Sequence, residues 1–409
     1  MLLLKTFIEK VCFFIFFEQY EYNNSVLGYI YKLTILQVYF KNIIFFITNY
    51  LINRLIKKHL SILLLSFIII SELFNSSIAV AQIGGKSVYH FLNLPTNARQ
   101  ASMGGVVYAR YDNDIQLSLY NPSLLSPETH NQLCLDFTDH FSDIKQGYAG
   151  YSRTFKKLGS FQAGFQFLNY GKFTETTDAD VVLGDFTAND LALNIGWGRR
   201  LDSSFSIGSN LKFISSQLQD YYSFGIATDI AATYINNKHR LAVSLIARNI
   251  GRQLVTYTKI REPLPFEIQL GFSQKLKNAP FTYSIVVQNL EKWDLTYNDP
   301  NDPEIERDAI TNEIKEKSKA SKIFDKTMRH LVFGLEFQPF KAFALRLSYN
   351  YKRRQEVSVP TSSRLSGFAW GFGIKISKFQ ISYARDIYHP AGAPNYFTIA
   401  TNLSDFAKK

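Results

Sequence analysis

From about residue 131 onward, apolar and polar side chains alternate with a period of two. In Ser204–Ser215, Phe205, Ile207, Leu211 and Phe213 share one face, and Ser206, Gly208, Asn210 and Lys212 share the other. Successive side chains of a strand point to opposite faces, so this pattern predicts strands buried on one side. Phe343–Lys352 and Phe368–Ser377 repeat it, with Arg346, Lys375 and several glycines on the polar side. Fourteen such segments are expected: 131–139, 146–155, 159–170, 187–201, 204–218, 221–236, 239–251, 265–276, 281–290, 330–340, 343–352, 364–377, 379–387 and 395–403. Most have the nine to eleven residues, or a few more, that a tilted strand needs to cross a bilayer.

The gaps between segments take turns as well. Those at 156–158, 202–203, 237–238, 277–280, 341–342 and 378 are tight. Those at 140–145, 171–186, 252–264, 291–329, 353–363 and 388–394 are mostly long, and only 219–220 breaks the rule. Short turns at one end and long loops at the other mark an outer-membrane barrel. The expected fold is therefore all-β: a transmembrane antiparallel barrel of about 14 strands over 131–406, with both termini on the short-turn, periplasmic side. A soluble β-sandwich would also alternate, but it gives no reason for long and short gaps to take turns.

Energetics decides which face meets lipid. Lys or Arg at mid-bilayer costs roughly 2–4 kcal/mol, so charged and small positions must face the lumen. Phe205, Phe213, Phe343, Leu347, Trp370 and Phe372 are then lipid-facing, and Lys212, Glu336, Arg346 and Lys375 point inward. Hairpin register sets Glu336 opposite Arg346, and the 219–220 turn brings Lys212 within reach of Asp229. Small inward residues (Gly208, Gly225, Ala227, Gly371, Gly373) are expected to leave room in the lumen.

Residues 82–130 do not alternate, yet carry Tyr89, Phe91, Leu92, Leu94, Val106, Val107 and Tyr108, which a solvated tail would not need. They read as an N-terminal plug on the periplasmic side. Upstream, Lys57-Lys58-His59, the apolar run Leu60–Ile70 and Ala79-Val80-Ala81 make 55–81 a secretory signal, with a mature chain from Gln82. Residues 1–54 lie where a secreted protein should have nothing. Phe, Ile, Lys, Asn and Tyr, all with AT-rich codons, fill 31 of these 54 positions. They read as a dispensable or misassigned extension, with translation starting near Leu55 or Ile56; a genuine hydrophobic extension is the alternative.

Composition narrows the chemistry. Charged residues make up 19% of the 409, below the roughly 25% usual for soluble domains, and aromatics 15%. Two cysteines exclude a disulfide scaffold or a cysteine-rich metal centre. Loss of 1–81 removes seven Lys/Arg and four Asp/Glu, lowering the net charge from +11 to +8, without the clustered basic face that nucleic acid requires. Gly85-Lys86-Ser87 lacks the first glycine of a phosphate loop, Gly-x-Ser-x-Gly is absent, and the histidines have no metal spacing. His90, His130, His140, His239, His330 and His389 fall near strand ends or loops, where solvated positions are expected, and Cys134 reads as a small apolar packer. No catalytic, cofactor-binding or metal residue is expected, and no enzyme. Two features stand out in 291–329. Asn298–Asp308 is acidic, a solvated loop rather than a calcium loop, and 303–317 has the pattern of a weak amphipathic helix. Loops of this length usually carry function, so 291–329 is the expected docking surface.

Gly84-Gly85, the run Tyr89-His90-Phe91-Leu92-Asn93-Leu94-Pro95, Ala98-Arg99, Ala101 and Gly104-Gly105 resemble the mature start of the PorQ family of the type IX secretion system of Bacteroidota. Lys292–Tyr297, Met328–Gly334, Tyr349-Asn350-Tyr351 with Arg353-Arg354, and Thr401–Phe406 resemble the same family, so the likeness covers 84–406. Its wider group, which includes PorV, is similar to the long-chain fatty-acid transporter barrels with their N-terminal hatch, and Tyr120-Asn121-Pro122 sits where that group carries an Asn-Pro motif. The resemblance implies a non-enzymatic outer-membrane barrel that anchors a surface protein of the PorZ type. It would sit in an attachment complex with a PorU-type sortase and a PorV-type barrel, amid lipopolysaccharide. Two further readings stay open: a hydrophobic-solute transporter, and a cargo shuttle of the PorV type.

Overall fold

Fourteen antiparallel strands form a closed ring in a computed structural model that describes residues 87–106, 109, 112, 114–296, 318–356, 365–387 and 392–407. All of these lie in the unit Ala81–Lys409. The strands are β1 (Gln132–Asp139), β2 (Lys145–Phe155), β3 (Gly159–Thr176), β4 (Val182–Arg200), β5 (Phe205–Leu218), β6 (Tyr221–Asn236) and β7 (Leu241–Val255) in the first half. The second half holds β8 (Glu267–Lys275), β9 (Phe281–Val287), β10 (Leu331–Phe340), β11 (Phe343–Asn350), β12 (Phe368–Ile376), β13 (Phe379–Asp386) and β14 (Asn395–Asn402). Each pairs with its sequence neighbours, and β1 closes on β14 from Gln132↔Asn402 to Asp139↔Asn395. No backbone edge is left to face lipid, the condition for a sheet to cross a bilayer.

The alternation gives the two faces expected of it. Phe205, Leu347 and Trp370 are 40–49% exposed on the outer surface, whereas Lys212, Glu336 and Arg346 are at most 4% exposed inside. Phe213, Phe343 and Phe372 share the outer face, half-exposed. Lys375 keeps the inward phase of Gly371 and Gly373 but is exposed, because it sits at the rim. Glu336 pairs with Arg346 in the register the sequence sets.

Strand ends differ from the reading in several places. The gap expected at 171–186 is mostly strand, since β3 and β4 run on as a two-stranded ribbon around a tight 177–181 turn. The gap expected at 252–264 shrinks because β7 continues to Val255. In the long 288–330 connection, a helix α3 (Lys319–His330) leads into β10; the expected helix at 303–317 and the acidic stretch 298–308 lie outside the described residues. Another helix, α4 (Tyr351–Glu356), follows β11 where strand was read to 352. The signal, the upstream extension, and Val107 and Tyr108 also lie outside the described residues.

The described residues between 87 and 130 lie in the lumen. Val88 N–H donates to Pro263 O, in the β7–β8 connection at the long-loop end. Helix α1 (Ala98–Ser102), capped by the Asn97 side chain on Gln100 N–H, packs against β11–β14. Gly104 rises to Val332 and Ser348 near the same long-loop end. Helix α2 (Ile115–Ser118) and the turn Pro122–Leu124 then lie towards the short-turn end, where β1 begins. The ends of the barrel, β1 and β14, are both at the short-turn end. The first described residue, Ser87, is not: it lies at the opposite end, because the chain traverses the lumen before entering β1.

The inward glycines do not leave an empty lumen. A Cβ on Gly208 would sit 2.3–2.5 Å from backbone atoms of Pro122 and Ser123; one on Gly198 would meet Pro122 O at 2.4 Å. Gly225 makes room for the Tyr89 ring and Gly371 for Ser102. Small residues on the wall are the sockets of the lumenal segment. Gly208→Val suits strand backbone but overlaps backbone that has no second position. It should destabilise the folded barrel by about 1–3 kcal/mol, read as a lower thermal transition on heat-modifiability gels, while Ala232→Val on the outer face should leave that transition unchanged.

Candidate functional site

The densest chemistry of the chain lies where the lumenal segment meets the wall. Alternation alone brings charge inward here, and a charge removed from water must find a partner. Arg99 of α1 is the first centre. Its guanidinium pairs with Asp112 and, at 2.6 Å, Asp114 in the same segment, and it reaches Glu336 of β10 at 3.5 Å. Glu336 in turn holds Arg346 of β11 at 2.8 Å. One wall carboxylate thus joins the wall's own cation to the plug's.

The second centre is a bulge in β7. Asn249 has φ 56, a left-handed conformation that asparagine tolerates better than most residues. The register shifts there, so Arg248 and Asn249 both point inward opposite Asp229. Asn249 N–H donates to Asp229 at 2.8 Å, and Lys212 lies 2.7 Å from Asp229 and donates to Asn249 Oδ1. The Asn249 amide donates to Asn93 of the plug and to Pro265 O. Arg248 donates to Leu92 O at 2.8 Å, stands 3.8 Å from Glu267 and lies over the Tyr120 ring. Asn121 and Ser123 add a third contact, bonding Ser244 and Thr233.

A cavity and a packed apolar cluster flank these centres. A polar vestibule of about 270 Å³ opens at the short-turn end, lined by Arg99, Glu336, Arg346, Lys341, Lys375 and Lys378. Below the long-loop mouth the filling is apolar: Val88, Tyr89, Phe91, Leu92, Leu168, Ile214 and Leu264 pack together, with Tyr170 and Tyr257 against them.

The rim at the long-loop end carries α3. His330 Nδ1 and Nε2 lie 2.7 and 2.9 Å from Gln288 O and Trp293 O, and the Trp293 ring stacks on the imidazole. His330 is therefore buried rather than solvated, and His140 likewise packs on Gln146. Lys326 meets Asp294 at 2.7 Å. Partial burial works to raise the Asp294 carboxyl, but Lys326 and two bonds from Thr296 outweigh it and bring its pKa down to about 2. Trp293, Ile323 and Phe324 are left 58–62% exposed. Cys134 is a buried free thiol packed with Ile115, Tyr120 and Tyr148. Among the described residues no cluster of three metal-ligating side chains exists.

Lys212–Asp229 and Glu336–Arg346 follow from spacing. The Arg99 centre does not, because Arg99 and Glu336 are 237 positions apart and joined only by the plug's path. The Asn249 bulge left one trace, adjacent Arg248-Asn249 in an otherwise alternating strand.

No family model and no curated protein matches the chain. Solved structures do. The Pseudomonas putida toluene transporter TodX superposes with a TM-score of 0.42 at 11% identity, over 74% of this chain and 95% of that one. A Pseudomonas aeruginosa FadL homologue gives 0.43 at 10% identity, over 75% and 98%. The KdgM porin gives 0.28 at 7%, over 66% and 98%. The class that the chain's own strands define is the fourteen-stranded outer-membrane type of β-barrel, with its lumen filled by its own N-terminal segment.

Asp229 separates a structural charge pair from a dispensable one. Asp229→Leu alone strands Lys212 without its carboxylate and should destabilise the barrel by about 3–5 kcal/mol. Adding Lys212→Met should recover part of that loss, the buried Asn249 N–H still lacking its acceptor, measured as the urea midpoint of refolding in lipid vesicles.

Proposed function

We propose that the chain is a non-enzymatic outer-membrane barrel that anchors a surface protein, in the manner the PorQ-family resemblance implies. Its place would be an attachment complex of the type IX secretion system. The observation that carries this reading is the lumen. The plug is tied to the wall by the buried Arg99–Glu336 ion pair and by the hydrogen-bonded node at Asn249, and the vestibule below them is lined by charge. Displacing such a segment for every passing solute would break these links to the wall together. What the barrel offers outward is its long-loop rim: α3 with exposed Ile323 and Phe324, Trp293 beside it, and the β3–β4 ribbon. Exposed apolar residues such as Ile323 and Phe324 on a rim helix are suited to a partner groove.

A hydrophobic-solute transporter is the second reading, and one observation favours it. The apolar cluster of Phe91, Leu92 and Leu264 lies directly beneath the long-loop mouth, where a greasy solute would first bind. The names of TodX and the FadL homologue describe those proteins, and at these similarities only the barrel is held in common.

The two readings give opposite results. An in-frame deletion of 300–316, which leaves the Ser318 cap of α3 intact, should keep a heat-modifiable barrel in the outer membrane and release its surface partner into the medium. Uptake of a labelled long-chain fatty acid should stay at the wild-type rate. Retained partner with altered uptake sinks the docking reading and supports the second.

A further inference from the structure

We propose that the β3–β4 ribbon, residues 170–187, is a docking arm that engages a surface protein by strand addition, the partner presenting a β-edge rich in lysine or arginine. This deepens the docking reading above and rests on it.

The ribbon outruns its neighbours. β2 pairs with β3 only as far as Lys145↔Asn169, and β5 pairs with β4 only from Ala188↔Leu218. Lys172↔Thr187, Phe173↔Phe186, Thr174↔Asp185, Glu175↔Gly184 and Thr176↔Val182 therefore form a ladder of two strands with no third. Its departure from the wall is built in. The register shifts between Asn169 and Lys172, Gly171 takes φ +82, and the Asn169 side chain accepts the Gly171 N–H. Gln219 braces the base, donating its N–H to Thr187 O and its amide to Glu175.

Beyond that base the ribbon is bare. Val181, Val182 and Leu183 are 58–64% exposed, and the Phe173 and Phe186 rings stack, 5.2 Å between centroids. A lone two-stranded hairpin is marginal in water, and exposed edges are usually blunted by lysine or proline. Residues 171–186 contain no proline and one lysine, against Glu175, Asp178, Asp180 and Asp185. Four carboxylates against one lysine do not suit lipid. They also repel a second copy of the same ribbon, which disfavours self-pairing. They attract a cationic edge, and the open backbone of Val182–Phe186 supplies the ladder that such an edge would complete.

The test uses the full barrel in its host. In one variant Phe173 and Phe186 are joined through Asn-Gly, a two-residue hairpin turn. In a second, Asp178→Lys, Asp180→Lys and Asp185→Lys reverse the charge on exposed positions without shortening the fold. The 300–316 deletion is the comparison. The barrel is purified in mild detergent, and the surface protein bound to the wild type is quantified per barrel. Hydrogen exchange of the Val182–Phe186 amides is followed in the complex and in the stripped barrel. Both ribbon variants should lose at least tenfold of the bound protein, and binding should protect those amides. If both ribbon variants keep wild-type stoichiometry and the 300–316 deletion does not, the ribbon proposal is overturned and the docking reading stands. If the wild-type barrel carries no surface protein at all, the docking reading falls and the ribbon proposal with it. Should the shortened ribbon misfold on heat-modifiability gels, the charge-reversed variant decides alone.

Discussion

Everything in this chain depends on the closed ring of backbone hydrogen bonds. In lipid, an unpaired N–H or C=O has no water to turn to, so the sheet must return to its first strand. The β1–β14 seam satisfies this with a full eight-residue ladder. Closure fixes the alternation of faces, because one side of every strand then meets lipid and the other an enclosed space. It also brings the ends of the barrel together, since an even number of antiparallel strands finishes where it began. The enclosed space is the remaining problem. Lys212, Asp229, Arg248, Glu267, Glu336 and Arg346 are excluded from the lipid face and must be neutralised inside. The lumenal segment does part of this, its Arg99 sharing Glu336 with the wall and its Leu92 and Asn93 accepting from Arg248 and Asn249.

The ring is uneven in height, and its rim follows from that. β3, with 18 residues, and β4, with 19, stand beside strands such as β9, with 7. At about 3.3 Å per residue, eleven or twelve residues more is roughly 36–40 Å of extra strand. On the low side, β9 and β11 end in connections that carry α3 and α4, which pack on each other. Tyr351 of α4 donates to Asp325 of α3, and His330 ties the end of α3 to Gln288 and Trp293. The tall side carries the ribbon and the low side the helices. The long-loop end is therefore an asymmetric platform with an acidic arm on one flank and an apolar helix face on the other.

Much of the wall was legible in the sequence because its physics is local. Period-two alternation marks each strand wherever one face meets lipid and the other does not, as at Phe205–Leu218 and Phe343–Asn350. Turn lengths then fix register, which is why Glu336 could be set against Arg346 by spacing alone. Legibility failed where a segment meets the same medium on both faces. The ribbon is wet all round, so Lys172–Thr176 carries no alternating signal and read as loop. It failed again in the lumen, where packing replaces periodicity. Gly208 and Gly371 were recognisable as small inward residues, but nothing near them in sequence says that Pro122 and Ser102 occupy the space they leave. Arg99 was visible as part of a family-like run, yet its pairing with Glu336 depends on the plug's path, which no local pattern encodes.

The buried charges bear on function through a difference of free energies. A conduit needs a closed and an open arrangement of similar energy, so that a solute's modest affinity can shift the balance. Opening this lumen would separate Arg99 from Glu336, Arg248 from Leu92 and Asn249 from Asn93 together. Arg99 would keep Asp112 and Asp114 of its own segment and Glu336 would keep Arg346, so the cost falls on the bonds that cross from segment to wall, which break together. The same pairs stiffen the wall on which the rim elements stand, because plug contacts span β3, β5 to β7 and β10 to β14 at once. A stiff wall benefits an anchor: a docking surface held in its bound geometry loses less conformational entropy on association. On the docking reading, the lumen's network and the exposed rim are two parts of one arrangement, the first holding still what the second presents.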